Sequence, residues 1–161
     1  MTTGPTIDVV RDFYEAFARK DDRAMADAYG DDVRFSDPVF PELRGDRARA
    51  MWRMLCERSK DLRVSYTIVD ATDDDALVRW NAWYTITTTG RPVHNVVHST
   101  LKLRGGRIVD HVDEFDFWRW SRQALGPAGW ALGWTPWLRD KIRTQAGGAL
   151  NAFVEKGMPG R

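Results

Sequence analysis

The chain has 161 residues, 43% of them hydrophobic, which suits one core and one globular domain with at most a terminal appendage. Its 24 basic and 23 acidic residues leave a formal net charge of +1 and no basic stripe, which argues against nucleic acid and membrane surfaces as partners. The single cysteine, Cys56, rules out a disulfide framework within the chain and, beside Leu55 in a helical pattern, reads as a buried thiol and not a nucleophile. Met1 to Thr6 lacks a basic region with an apolar run behind it, and no segment approaches the roughly eighteen apolar residues of a membrane span. A cytoplasmic location is the expectation.

Ile7, Val10, Phe13, Tyr14 and Phe17 recur at helical spacing, and Ala24 to Tyr29 continues as a second short helix after the turn Lys20-Asp21-Asp22. Val33-Arg34-Phe35 is predicted as a short strand that stops at Asp37-Pro38. Pro41 and Gly45 then punctuate a loop before a helix over Ala48 to Arg58. From Leu62 the pattern changes to strands over Leu62–Val69, Ala76–Thr88, Pro92–Leu103 and Arg107–Phe115, with turns at Asp73-Asp74-Asp75, Thr89-Gly90 and Gly105-Gly106. This is an antiparallel meander. Helices gathered ahead of strands predict an α+β fold, with the helices packed on one face of a curved sheet.

The last 45 residues hold Trp118, Trp120, Trp130, Trp134 and Trp137, five of the eight tryptophans, and so predict a large apolar surface to be covered. Asp116 can cap a short helix ending at Gly126-Pro127, and Thr135-Pro136 has the N-cap and N1 preferences for a last helix to about Val154. Ala128 to Gly133 between them reads as a glycine-broken apolar loop. The segment either seals the core as a helical appendage or forms a lid over a pocket or a partner surface.

The most chemically suggestive stretch is Gly106 to Asp116, because His111, Asp113 and Phe115 stand two residues apart on a predicted strand and therefore share a face. The same parity puts Trp80, Ala82, Tyr84, Asn95, Val97 and Ser99 on that face, a mostly apolar wall with a few polar groups, closed by Phe13, Phe17 and Trp52 from the helices. His94 and His98 alternate onto the opposite, convex face. Strand residues four apart chelate a metal poorly without a third ligand, so neither is assigned to a metal site. Asp73-Asp74-Asp75 lacks the spacing and glycine of a calcium loop and reads as a solvated turn.

The order helix, helix, strand, helix, meander, together with Tyr29-Gly30-Asp31-Asp32-Val33-Arg34-Phe35-Ser36-Asp37-Pro38, resembles the NTF2-like superfamily in its SnoaL-like and ketosteroid-isomerase-like branch. The likeness spans roughly residues 6 to 118. It implies a cystatin-like cone over 1–118, with 119–161 as a C-terminal helical, tryptophan-rich extension on the same domain. In ketosteroid isomerases the aspartate of such an aspartate-proline pair is the general base, and a glycine like Gly45 precedes the third helix; Asp37 takes the base position. The stretch from Gly106 to Asp116 is also similar to a strand of limonene-epoxide hydrolases, whose first aspartate takes part in catalysis; this implies a role for Asp113. The family often dimerises through the convex sheet face, which implies a homodimer here.

The departures are equally specific. Phe13, with Tyr14 adjacent, and Ser99 stand where the isomerases place the tyrosine and aspartic acid of their oxyanion hole. Trp80, with Arg79 adjacent, and Ala82 stand where the epoxide hydrolases place an arginine and a second aspartate. The resemblance thus implies a hydrophobic small-molecule pocket and, without cofactor or metal, proton chemistry such as isomerisation, cyclisation, dehydration or water addition. Asp37, His111 and Asp113 are the candidate catalytic residues. Phe13, Tyr14, Phe17, Trp52, Trp80, Tyr84, Asn95, Val97, Ser99 and Phe115 are the candidate substrate-binding ones. The residues leave a second reading open, in which Asp37 only caps its turn, His111 and Asp113 are a structural pair, and the domain binds a hydrophobic ligand or dimerises without catalysis.

Overall fold

The computed structural model describes residues 4–157. Helix α1 (Pro5–Ala18) begins with proline at its first turn, where the missing N–H costs nothing, and buries Val10, Phe13, Tyr14 and Phe17 on one face. Lys20, the one non-glycine residue with positive φ among the described residues, turns the chain, and the Asp21 side chain caps α2 (Asp22–Ala28) by accepting from the Ala24 N–H at 3.0 Å. Strand β1 (Tyr29–Ser36) follows directly.

After β2 (Leu43–Arg44), Gly45 adopts φ +55° ahead of α3 (Asp46–Arg58), in a place where a side chain would crowd the Asp31 carbonyl. The meander is β3 (Arg63–Ala71), β4 (Asp75–Thr85), β5 (Pro92–Arg104) and β6 (Arg107–Glu114). These strands form one six-stranded sheet in the order β2-β1-β6-β5-β4-β3. Its pairs are antiparallel except β1 with β6, which is parallel and sets Phe35 beside His111. Helices α1 and α3 cover one face, and the core between them and the sheet is aromatic: Phe13, Tyr14, Phe17, Tyr29, Phe35, Trp52 and Trp80 are all buried.

The α+β cone and the four-strand meander stand as expected, and the alternation of buried residues along β4, β5 and β6 follows the expected parity. Three local expectations are corrected. The second helix stops at Ala28, and Tyr29 opens a strand four residues longer at its start than Val33–Phe35, because Tyr29, Val33 and Phe35 all turn into the core. Residues 128–133 are not a loop: α5 (Pro127–Leu132) lies between α4 (Phe117–Leu125) and α6 (Pro136–Gly157). Nor do the tail tryptophans cover a large apolar surface, since Trp130, Trp134 and Trp137 are 58%, 71% and 58% exposed.

The reason lies in the glycines. A Cβ on Gly129 would fall 1.9 Å from the Ser121 carbonyl oxygen, so α5 meets α4 through bare backbone and its one indole, Trp130, turns outward. Trp118 and Trp130 instead hold the Arg122 guanidinium between them, 4.3 and 4.6 Å from their ring centres. Helix α6 is anchored by Leu138 and the fully buried Leu150, the latter part of the main core. Among the described residues, no helix is long and apolar enough to cross a membrane.

Candidate functional site

A cavity of about 280 Å³ opens between α3, α4 and the concave face of the sheet. Its wall is mostly apolar, including Phe17, Phe40, Trp52, Leu62, Trp80, Val97, Phe115 and Trp120, and it carries two carboxylates, Asp37 and Asp113. Asp37 ends its strand in a turn that Pro38 enforces. Its Oδ1 accepts from the N–H groups of Val39 at 2.7 Å and Phe40 at 2.6 Å, while its own N–H donates to the Phe40 carbonyl at 2.8 Å. The capping role and a place on the cavity wall coexist in one side chain. Burial against the aromatic wall pushes its carboxyl up from 3.8 to about 7, and the Asp113 charge adds to this, against the Phe40 and Val39 N–H groups and His111, which pull it down.

Asp113 is reached from behind by two hydrogen-bond chains. In the first, Trp52 Nε1 donates to Tyr29 Oη at 2.7 Å, Tyr29 Oη meets His111 Nδ1 at 2.8 Å, and His111 Nε2 meets Asp113 Oδ1 at 2.8 Å. The Tyr29 oxygen accepts from Trp52, which leaves its own proton for Nδ1 and makes Nε2 the nitrogen that donates to Asp113. In the second, Tyr14 Oη donates to Ser99 Oγ at 2.9 Å, Trp80 Nε1 donates to the same oxygen at 2.8 Å, and Ser99 Oγ donates to Asp113 Oδ1. Both chains run toward Asp113 as final acceptor. Its Oδ2 has no hydrogen-bond partner among the described residues, and the residue lines the cavity.

The network is almost dry. His111 is fully buried, boxed by the rings of Phe13, Phe35 and Trp52 at 5.1–5.9 Å. Burial drives the Tyr14 and Tyr29 phenols well above their usual range, so both remain protonated donors; the Asp113 charge pushes the same way.

Of the thirteen candidate residues, nine line the cavity: Asp37, Asp113, Phe17, Trp52, Trp80, Tyr84, Asn95, Val97 and Phe115. Phe13, Tyr14, Ser99 and His111 do not; they form the layer behind Asp113. It is Tyr14, next to the counted position Phe13, that reaches Ser99, because the α1 helix turns the Phe13 ring onto Tyr29 and Trp52 instead. Two contributors stand outside the sequence expectation. Tyr29 carries an alternation signal with Val33 and Phe35, and Trp120 follows Phe117 at helical spacing from the Asp116 cap. On the convex face His94 Nε2 meets Asn81 Oδ1 at 2.9 Å, and its ring stacks on Trp83. The Cys56 thiol is buried and pushed up to about 11, chiefly by burial.

Comparison with solved structures finds the same fold at low sequence identity. An NTF2-like protein of unknown function from Burkholderia pseudomallei is 22% identical, with 76% of this chain and 99% of that chain covered and a TM-score of 0.67. An LEH-like epoxide hydrolase from M. tuberculosis is 22% identical, with 75% and 90% covered and a TM-score of 0.60. A hypothetical protein with a ketosteroid isomerase-like fold from Catenulispora acidiphila, in complex with trimethylamine, is 17% identical, with 80% and 97% covered and a TM-score of 0.65. A search of curated proteins found no match. The model of the SnoaL-like domain matches residues 10–111, more than half of the chain and the part that holds Asp37, His111 and the concave residues of β4 and β5. This chain therefore belongs to the SnoaL-like domain family, within the NTF2-like fold.

Proposed function

We propose that the protein is a cofactor-independent acid–base enzyme acting on an apolar small molecule by isomerisation, cyclisation, dehydration or water addition. The observation that carries this reading is the pair of carboxylates, Asp37 and Asp113, on the wall of one otherwise largely apolar cavity. A carboxyl brought to about 7 by burial exists in both forms near neutral pH, and its conjugate base is far stronger than that of a solvated aspartate. Asp37 removes a proton from the substrate and returns it. Asp113 is the second acid–base or water-activating group, oriented by Ser99 and His111; His111, walled off from the cavity, acts through it.

The epoxide hydrolase among the similar structures makes water addition the natural variant, with Asp113 activating the water. The convex face, where Val69 and Leu77 are exposed, is the proposed surface for a second copy of the chain, and sedimentation at micromolar concentration tests that part separately.

The test of catalysis is incubation of the protein with a panel of bicyclic ketones and epoxides in deuterium oxide and in heavy-oxygen water, read by mass spectrometry. Deuterium or heavy oxygen entering a compound faster than in buffer is the expected result, with about a hundredfold or greater loss in Asp37→Asn or in Asp113→Asn. Compounds that bind and emerge unlabelled would leave only a ligand-binding module.

A further inference from the structure

Two polar side chains on the cavity wall have hydrogen-bonding capacity that the protein does not use. Asn95 is only 8% exposed, lines the cavity, and its amide makes no side-chain hydrogen bond to any described residue. Tyr84 also lines the cavity; its oxygen accepts from Trp120 Nε1 at 2.8 Å, and its own proton has no acceptor among the described residues. The Asn95 amide opens onto the cavity, whereas the core behind the wall satisfies its own polar groups: the hydroxyl of Ser99 alone engages three of them.

The two residues are neighbours by register. Ala82 pairs with Asn95 across β4 and β5, so Tyr84, two residues along β4, lies diagonally from Asn95 on the same concave face. The Asp37 charge is felt at the Tyr84 phenol, so this donor pair and the base belong to one site.

We infer that Tyr84 and Asn95 together bind one carbonyl oxygen of the substrate, and that the substrate is a compact apolar ketone whose neighbouring carbon faces Asp37. The inference rests on the acid–base reading for its chemistry and on the cavity alone for its recognition. In the step, Asp37 takes the proton from the carbon beside the carbonyl. The C–H electron pair becomes the carbon–carbon double bond, and the carbonyl π pair moves onto oxygen. The resulting negative oxygen is held by the Tyr84 O–H and the Asn95 N–H, and the proton on Asp37 returns to carbon, at the same or a conjugated position. No oxidant, reductant or further reactant enters. The position of the oxyanion-binding groups thus shifts from Tyr14 and Ser99, which sit behind the wall, to two residues that line it.

The experiment compares α-tetralone with tetralin, bicyclic molecules that share a ring framework and differ in the carbonyl. Binding is followed by quenching of the protein's tryptophans, and the carbonyl stretch of the bound ketone by difference infrared spectroscopy. The wild-type protein is expected to bind the ketone about ten times more tightly or better, with the stretch moved to lower frequency. Tyr84→Phe and Asn95→Leu are each expected to lose about five- to tenfold of that preference and part of the shift, while tetralin binding holds steady and reports that the cavity is intact. Equal affinity for ketone and hydrocarbon, or a shift indifferent to both variants, overturns the inference. Deuterium exchange separates the two proposals: exchange without carbonyl preference removes the inference and leaves the acid–base reading, whereas preference without Asp37-dependent exchange removes the acid–base reading and leaves the carbonyl recognition alone.

Discussion

Asp37 caps its turn and lines the cavity with one carboxylate, so the cap does not compete with the proposed base role. The geometry of the turn needs only Oδ1 to cap the Val39 and Phe40 N–H groups, so the carboxylate can still line the cavity. A carboxyl raised from 3.8 to about 7 in the folded state is charged more easily in the unfolded chain. Its contribution to stability is therefore fully present below about pH 4 and is lost as pH rises through about 7. Asp37→Asn, which keeps the capping oxygen, is expected to flatten stability across that window and to raise it above pH 7 by at most about 4 kcal/mol, at about 1.4 kcal/mol per pK unit; urea unfolding of both proteins at pH 4, 6 and 8 measures it. Catalysis has the opposite sign. With Asp37 as base, kcat/KM should rise tenfold per pH unit below about 7 and level off above it, and a profile flat from pH 5 to 8 would remove Asp37 from the base role. His111→Phe should cost about 2–4 kcal/mol, since it leaves the Tyr29 hydroxyl and Asp113 without their partner in a dry core, and thermal denaturation tests this.

Strands β4, β5 and β6 place their side chains where alternation along the sequence says they should, because the strand period is two and one face is buried. That rule brings Asn95, Asp113 and Trp80 to one surface without knowledge of the fold. It is silent on depth. Ser99 and Asn95 have the same parity, yet one is consumed by Tyr14, Trp80 and Asp113 while the other opens onto the cavity, and only the packing of α1 against the sheet makes the difference. The α4–α5 contact was equally out of reach, since the sequence shows glycines and tryptophans but not which of them faces Ser121. Gly129→Ala places a methyl group against the Ser121 carbonyl and is expected to cost about 2 kcal/mol or more, whereas Trp134→Ala, at an exposed position, should stay within about 0.5 kcal/mol; chemical denaturation of the pair distinguishes them.

At the scale of the whole molecule, the C-terminal helix reaches the site from outside the family-defining segment. Arg143 Nε on α6 donates to the Pro38 carbonyl at 2.9 Å, across 105 residues of sequence, and so braces the turn that carries Asp37. Arg143→Ala is expected to cost about 1 kcal/mol of stability and to lower turnover with the fold intact, a result that near-ultraviolet circular dichroism and kinetics together would establish. Shortening the chain to residue 133 also removes Leu138 and Leu150, and should lower the melting temperature by well over the roughly 2–4 °C that one kcal/mol is worth in a domain of this size.

What the sequence by itself determined is periodic or chemically local: the helical face of α1, the alternation of the meander, the Asp116 cap, the Asp37-Pro38 turn and the family likeness they add up to. These depend on residues a few positions apart, whose geometry the backbone dictates. The tertiary structure alone decided that Tyr29 and Trp52 support His111, that Tyr14 and Ser99 are spent behind the wall, that Asn95 and Tyr84 face the cavity, and that Arg143 holds the Asp37-Pro38 turn. The hydrogen bonds among them join residues 23 to 105 positions apart through side-chain directions that only close packing selects.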